Sequence, residues 1–207
     1  MAPSFLSVWL KFFFLLTPFF ALSVFLSMTA GMPLRRKFRL ALRVIAAACA
    51  VSFSLFFFGN QIFEAFGITI DAFRIGGGAL LFLTAVRLVE GAPVGPAPAP
   101  GGPGEQEEEI AVVPRAIPVT VGPGTTAALL IMGAESATWG ARAVSVAALG
   151  AALLSFGAIL SSASLLERLL GRRGLTILSK VTGLVLAALA AQMVFTGVRA
   201  FLVVGAG

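Results

Sequence analysis

The chain has 207 residues, of which 58% are hydrophobic and only 12% charged, and its formal net charge at pH 7 is +6. It contains one cysteine, Cys49, and no histidine, which excludes an intramolecular disulfide, a zinc-protease helix and catalysis by Ser-His or Cys-His pairs. Asp71 is the only aspartate, so a membrane protease with two catalytic aspartates is excluded as well. We therefore expect neither an enzyme nor a bound cofactor.

Continuous apolar runs of about 20 residues match the length that crosses a hydrocarbon core of roughly 30 Å. The fold class predicted from them is an all-α polytopic membrane protein, because a transmembrane β-barrel would show alternating apolar residues. The six predicted spans cover residues 5–29, 40–59, 62–89, 110–134, 143–165 and 174–204. The first span contains Lys11 and is too long for a signal peptide, so we expect it to be retained.

The basic residues predict the orientation of the spans. Five bases lie within residues 33–43, after span one, and four lie within residues 168–180, between spans five and six. On the other side of the membrane, the loops between spans two and three and between spans four and five contain a single basic residue, Arg142. Because basic residues favour cytoplasmic loops, both termini are predicted to lie outside, and the bases do not indicate nucleic-acid binding.

Residues 91–109, GAPVGPAPAPGGPGEQEEE, are predicted to form a disordered cytoplasmic linker, because proline, glycine and glutamate cannot build a core. The linker divides the chain into a first three-helix repeat over residues 1–90 and a second over residues 110–207. Since each half has an odd number of spans, the second half must be inverted relative to the first.

Two pairs of segments support this inverted repeat. GITIDAFRIG at 67–76 aligns with GLTILSKVTG at 174–183, and Thr17-Pro18 in the middle of span one corresponds to Gly122-Pro123 in the middle of span four. Inverted repeats whose first helices are discontinuous occur in secondary transporters. We therefore predict an inverted 3+3 repeat with discontinuous first and fourth transmembrane helices.

A proline inside a helix removes a backbone hydrogen bond, yet it is well suited to open a new helix. We predict that Pro18 opens a half-helix capped by Thr17, and that span four divides into half-helices over about 110–121 and 123–134. Two helix N-termini facing each other near the bilayer midplane would bind an anion such as a carboxylate. The predicted substrate-binding residues are Thr17, Pro18, Phe19, Gly122, Pro123, Gly124, Thr125 and Thr126. A pair of kinked helices is the alternative.

The segment IDAFRIGGGALLF in span three carries residues for helix packing or gating. Asp71 and Arg74 are three positions apart on one helix face and can pair. Gly76, Gly77 and Gly78 allow another backbone to approach closely, either a packed helix or the tip of a half-helix.

Four segments together resemble the MarC family (UPF0056) of bacterial inner-membrane proteins: TPFFALSVFLSMT, FGITIDAFRIGGGALLFLTAVRLV, AVVPRAIPVTVGPGTT and GRRGLTILSKVTGLVLAALAAQMVFTGV. The family usually has Asn-Pro at its first break, whereas Thr17 replaces the asparagine here. The resemblance implies six spans in the bacterial cytoplasmic membrane and, for some members, coupled transport of glycine, alanine or similar amino acids.

The function expected from these features together is a secondary transporter of small neutral amino acids, with the lipid bilayer as its environment. The sequence leaves H⁺ and Na⁺ both open as the coupling ion, and a homo-oligomer is compatible with it. The alternatives are a non-transporting membrane scaffold or regulatory protein, an exporter of another small solute, and a channel, for which few polar residues are present.

Overall fold

The computed structural model describes residues 4–91, 121–136 and 138–204, and every regular element within these ranges is a helix. The seven helices are α1 (Phe5–Leu15), α2 (Pro18–Met28), α3 (Leu34–Phe66), α4 (Ile70–Glu90), α5 (Pro123–Glu135), α6 (Trp139–Ser161) and α7 (Ala163–Val204). Five stretches are long and apolar enough to cross a membrane: Phe5–Met28, Leu34–Phe66, Ile70–Glu90, Trp139–Ser161 and Arg173–Leu202. The prediction of an all-helical polytopic membrane protein is confirmed.

The predicted helix breaks fall where two of these helices begin. The first span is interrupted between α1 and α2, and α5 begins at Pro123 with Gly122 as its N-cap. The predicted half-helix over about 110–121 lies outside the described residues except for Val121, and so does the linker after Gly91. With 13 residues, α5 is about 20 Å long, too short to cross the hydrocarbon core by itself.

The predicted boundaries of span two were wrong at both ends. Helix α3 begins at Leu34, after the N-cap Pro33, so the arginine-rich segment is helical, and it continues to Phe66. The sequence suggested a turn near Gly59, but that glycine lies inside the helix, where an added Cβ would be 2.3 Å from the carbonyl oxygen of Leu130. The helix ends at Gly67, whose φ of 62° lies in the left-handed region.

The last predicted span, residues 174–204, agrees with the apolar stretch Arg173–Leu202. Helical structure continues before this span, because α7 starts at Ala163, and its one non-helical residue is Gly171, with φ 63° and ψ 172°. A glycine adopts this conformation without steric cost, which allows the helix to change direction there. The preceding turns therefore extend the helical region into the basic segment between spans five and six.

Helices α4 and α7 pack against each other in antiparallel orientation, because the start of α4 contacts the end of α7. A Cβ added at Gly197 would lie 2.7 Å from the carbonyl oxygen of Asp71, and one added at Gly183 would lie 3.0 Å from that of Ala85. Between these points, a Cβ at Gly78 would lie 2.7 Å from Val194 Cγ2. Small residues let helices approach closely in lipid, where apolar burial gives little driving force.

The three consecutive glycines of α4 differ in their surroundings. An added Cβ at Gly77 would lie 2.4 Å from the Cβ of Ala127 on α5, whereas at Gly76 it would meet nothing within 4 Å. Gly77 therefore makes room for the first turns of the half-helix α5, and Gly78 makes room for α7. At Gly76, by contrast, no neighbouring helix approaches within 4 Å of an added Cβ.

The buried core lies where the helices meet, and it is built from fully buried leucines and phenylalanines, among them Phe12, Phe56, Leu81, Leu129, Leu149 and Phe156. Many large apolar side chains point outward instead, including Phe58, Leu83, Leu154 and Phe195. An apolar outer surface is what a helix bundle presents to lipid tails.

Candidate functional site

The first helix break is centred on Thr17. Helix α1 ends at Leu15 and α2 begins at Pro18, and Thr17 between them has φ 46° and ψ 54°. It is the only residue other than glycine with positive φ in the described part of the chain. Such a conformation is strained and persists only where the surroundings hold it.

Thr17 is the N-cap residue of α2, as predicted, but its side chain makes no capping hydrogen bond. The prediction that Thr17 caps this helix is confirmed, although the hydroxyl bond that a threonine often makes at such a position is absent. Its backbone carbonyl instead accepts a hydrogen bond from the N–H of Ala21 at 2.9 Å, which begins the helical ladder.

The second helix start contacts the first break directly. The hydroxyl of Thr125, in the first turn of α5, donates a hydrogen bond of 3.0 Å to the carbonyl oxygen of Leu15. In a continuous helix this carbonyl would accept from the N–H of Phe19, and the break at Pro18 removes that bond. Because Leu15 and Thr125 are both buried, the carbonyl needs a protein partner, and Thr125 provides it.

Four N–H groups precede the first intrahelical bonds of α2 and α5. They belong to Phe19 and Phe20 on α2 and to Gly124 and Thr125 on α5, and none has an acceptor among the described residues. In α5 the ladder starts with the N–H of Thr126, which donates to the carbonyl of Gly122 at 2.8 Å. The N-termini of α2 and α5 therefore keep backbone N–H donors without acceptors beside the buried hydrogen bond between Thr125 and Leu15.

Helix α5 is wedged against α4 at this level. A Cβ added at Gly124 would lie 2.5 Å from the Cα of Leu81, so only glycine fits there.

The eight residues predicted to bind substrate differ in their exposure. Four are buried: Thr17, Pro18, Gly124 and Thr125. Three are half-buried, Phe19, Gly122 and Thr126, and Pro123 is exposed. Their role in binding remains a prediction.

An ion-pair cluster lies on the α4 side of the same region. Arg74 pairs with Asp71, as predicted, and also with Glu135 at the end of α5. Its Nε donates to Glu135 Oε1 at 3.0 Å, and one terminal nitrogen contacts the same oxygen. Glu135 therefore links α5 to α4.

A cavity of about 250 Å³, which we call the Lys11 cavity, extends from this cluster to the break. Leu15, at the end of α1, and Ala128 of α5 line the cavity. Its lining also contains five polar or charged residues: Lys11, Arg74, Glu135, Gln192 and Thr196. Sequence reasoning missed Lys11, Gln192 and Thr196 as site residues. The available signal was spacing, since Lys11 precedes Leu15 by four positions and Gln192 precedes Thr196 by four, which puts each pair on one helix face.

A second cavity of about 160 Å³, the Ser27 cavity, is lined by Ser23, Leu26, Ser27, Glu167, Leu175 and Thr176. Along α7, Leu175 and Gln192 are separated by about 25 Å, so the two cavities lie toward opposite ends of the bundle. Their half-helix linings share three positions: α2 contributes the fifth, eighth and ninth residues after Pro18, and α5 contributes the fifth, eighth and ninth after Pro123. Helix α5 also contributes the twelfth, Glu135, which has no counterpart in α2.

The chain was compared with known proteins. A family model described as MarC family integral membrane protein matches residues 2–202. A UPF0056 membrane protein of Methanocaldococcus jannaschii is 35% identical, with 90% of this chain and 92% of that protein covered. In Escherichia coli, the UPF0056 membrane protein YhcE is 27% identical (95% and 93% covered), and the UPF0056 inner membrane protein YhgN is 29% identical (89% and 91% covered). No solved structure matches. The family match over nearly the whole chain and these relatives lead to one conclusion: the protein belongs to the MarC family of integral membrane proteins.

Proposed function

We propose that this protein is a secondary transporter of small neutral amino acids such as glycine and alanine across the cytoplasmic membrane. The observation that carries the proposal is the hydrogen bond between Thr125 and the carbonyl of Leu15, which joins two helix breaks beside a polar cavity. Discontinuous helices that meet within a membrane bundle are the usual site of substrate binding in transporters.

The chemistry of the two helix starts supports recognition of a carboxylate. The N–H groups of Phe19 and Phe20 on α2, and of Gly124 and Thr125 on α5, lie at the positive ends of their helix dipoles. Donors of this kind bind carboxylates and phosphates. We infer that the substrate carboxylate is held between these helix starts, near the middle of the membrane.

The packing supports an inverted repeat of two three-span halves. Helix α5 packs on α4, and α2 correspondingly packs on α7, while α4 and α7 are antiparallel partners. The equal spacing of cavity-lining residues after Pro18 and after Pro123 is a second, independent sign of the same symmetry. Two matched cavities on either side of a central site are what an alternating-access transporter requires.

The basic residues suggest which cavity faces the cytoplasm. The Ser27 cavity involves the C-terminal half of α2 and the part of α7 around Arg168 and Arg173. The arginine-rich start of α3 follows directly after α2. By the positive-inside rule this end is cytoplasmic, so the Lys11 cavity opens toward the outside and both termini lie outside.

The size of the Lys11 cavity favours a small substrate. Its volume of about 250 Å³ is below the roughly 300–1,000 Å³ of sites for drug-sized ligands. It corresponds to about eight water molecules at roughly 30 Å³ each. A glycine or alanine with its hydration water fits this space.

The test is uptake of labelled glycine and alanine into proteoliposomes, with H⁺ and Na⁺ gradients imposed separately. We expect gradient-dependent uptake of glycine and alanine, competition by serine, and no competition by glycinamide, which lacks the carboxylate. Failure of folded, reconstituted protein to take up or exchange any small amino acid under either gradient would reject the proposal.

A non-transporting scaffold is the second candidate, because the residues around the breaks are tightly packed. Thr17 and Thr125 are each 4% exposed, and Gly124 lies against the backbone of Leu81. A scaffold would keep this packing in every state. Cysteines introduced at the break would then show the same low reactivity with and without an amino acid, whereas a transporter would change it.

A further inference from the structure

We propose that the Lys11 cavity is a capture site for zwitterionic amino acids, in which the Lys11 ammonium binds the substrate carboxylate and Glu135 binds its ammonium. This inference rests on the transport function proposed above and names the side chains that recognise the substrate before it reaches the helix break.

Lys11 occupies a position that a membrane helix would otherwise avoid. It lies about 9 Å along the helix axis from Thr17 and inside the candidate span Phe5–Met28. A charged side chain at such a depth is costly, and it normally faces a partner, a ligand or a water-filled cavity. Here it lines the Lys11 cavity together with Leu15, the residue at the break.

The two cations of the cavity differ in their pairing. Arg74 is held by the carboxylates of Asp71 and Glu135. Lys11 has no ion pair or hydrogen bond with any other residue that the structure describes. Lys11 is therefore the cation that remains for an anionic ligand group, and a carboxylate is the complementary group of a small amino acid.

The cavity also offers an acceptor for a substrate ammonium. Both contacts from Arg74 go to Oε1 of Glu135, which leaves Oε2 of that carboxylate for a second donor. On α7, the hydroxyl of Thr196 donates to the carbonyl of Gln192 at 2.7 Å, so its oxygen can still accept. The lining thus presents a free cation and free acceptors around one small space, as a zwitterion requires.

The position of Ala128 explains why such a site would select small side chains. Ala128 is buried in the α5 wall of the cavity, one turn beyond the break contact at Thr125. Leu15 lines the same cavity and is buried, as is Thr125 at the break contact. A substrate held by its charged groups at Lys11 and Glu135 therefore has little room for a bulky side chain on the way inward.

The first experiment measures glycine uptake by K11M, by K11R and by the matched control K180M, which removes a lysine from α7 that lines none of the cavities described above. We expect K11M to raise the KM for glycine about 10- to 100-fold, the size expected for one charged hydrogen bond. K11R should recover most of the loss, and K180M should match the wild type. An unchanged KM in K11M, with active wild type, would overturn the capture site while leaving the transport function intact.

The second experiment does not need transport. Acylation of Lys11 by an amine-reactive reagent is followed by mass spectrometry in detergent, with Lys180 as internal reference. We expect glycine and alanine to slow acylation of Lys11 several-fold, glycinamide to have no effect, and Lys180 to be unaffected by any of them. If glycine protects Lys11 from acylation but is not taken up, the capture site holds and the transport function is rejected. If glycine is taken up but does not protect Lys11, the transport function holds and the capture site is rejected.

Discussion

The hydroxyl of Thr125, at the start of α5, donates a hydrogen bond to the carbonyl oxygen of Leu15, the last residue of α1. The two residues are 110 positions apart, and both are almost fully buried. The bond replaces the one that Pro18 removes from the first span. The break is therefore stabilised by the other half of the molecule rather than by its own helix.

This relationship predicts the effect of Thr125→Val, which keeps the side-chain shape and removes the donor. The carbonyl of Leu15 would be left buried without a partner, which costs about 1–3 kcal/mol. We expect a lower thermal unfolding midpoint in detergent, and recovery in Thr125→Ser. The matched control is Thr84→Val, because the Thr84 hydroxyl donates to a carbonyl of its own helix, that of Leu80. Equal midpoints for T125V and T84V would contradict the role assigned to Thr125.

The glycines of α4 give a second prediction with an internal control. Gly77→Ala places a methyl group 2.4 Å from the Cβ of Ala127, so α4 and α5 must separate. Overpacking of this kind costs about 1–3 kcal/mol. Gly76→Ala, at the neighbouring position, meets open space and should stabilise the helix by about 0.5–1 kcal/mol. Unfolding midpoints of the two variants should move in opposite directions, and a parallel shift would show that α5 does not pack here.

The third prediction concerns the ion pair between Arg74 on α4 and Glu135 on α5. Their side chains are 20% and 42% exposed, so the coupling should be modest, about 1 kcal/mol or less. A double-mutant cycle with Arg74→Met and Glu135→Gln measures this energy from unfolding midpoints. We expect the Arg74→Glu, Glu135→Arg exchange to be more stable than Arg74→Glu alone, because the single change leaves three carboxylates together at positions 71, 74 and 135. Additive effects in the cycle would argue against a direct contact.

The fourth prediction tests the orientation in the membrane. In a Cys49→Ala background, a cysteine replacing Arg35 should react with a membrane-impermeant maleimide only from the cytoplasmic side. A cysteine replacing Trp139, which is 88% exposed at the start of α6, should react only from the outside. Reaction of both from one side would contradict the span count, and exchanged sides would contradict the positive-inside assignment.

The features that could be predicted from the sequence depend on residues close together in the chain. Pro18 and Pro123 each start a helix because proline suits the first helical position, and that requirement is visible in any short stretch. The pairing of Asp71 with Arg74 is equally local, since three positions place both on one face. Both features follow from neighbours within one turn.

What could not be predicted depends on contacts between distant segments. Nothing near Thr125 indicates that its hydroxyl reaches Leu15, and nothing near Gly59 shows that a backbone of α5 lies against it. The predicted end of span two at residue 59 was wrong, because a glycine inside a membrane helix can serve close packing instead of ending the helix. The cavity that Lys11 lines was missed in the same way, since it forms only where α4, α5 and α7 come together next to α1.

The last prediction tests alternation between the two cavities. Ser27 and Met132 are the ninth residues after Pro18 and Pro123, and each lines one cavity. With Cys49 replaced, single cysteines at these positions report solvent access from opposite ends of the bundle. In an alternating-access transporter the populations of the two states are linked, so whatever opens one cavity closes the other. We expect glycine to change the two maleimide reaction rates in opposite directions, and D-glucose, as a control solute, to change neither. Rates that rise or fall together would indicate a channel-like opening, and rates that do not respond would favour the scaffold.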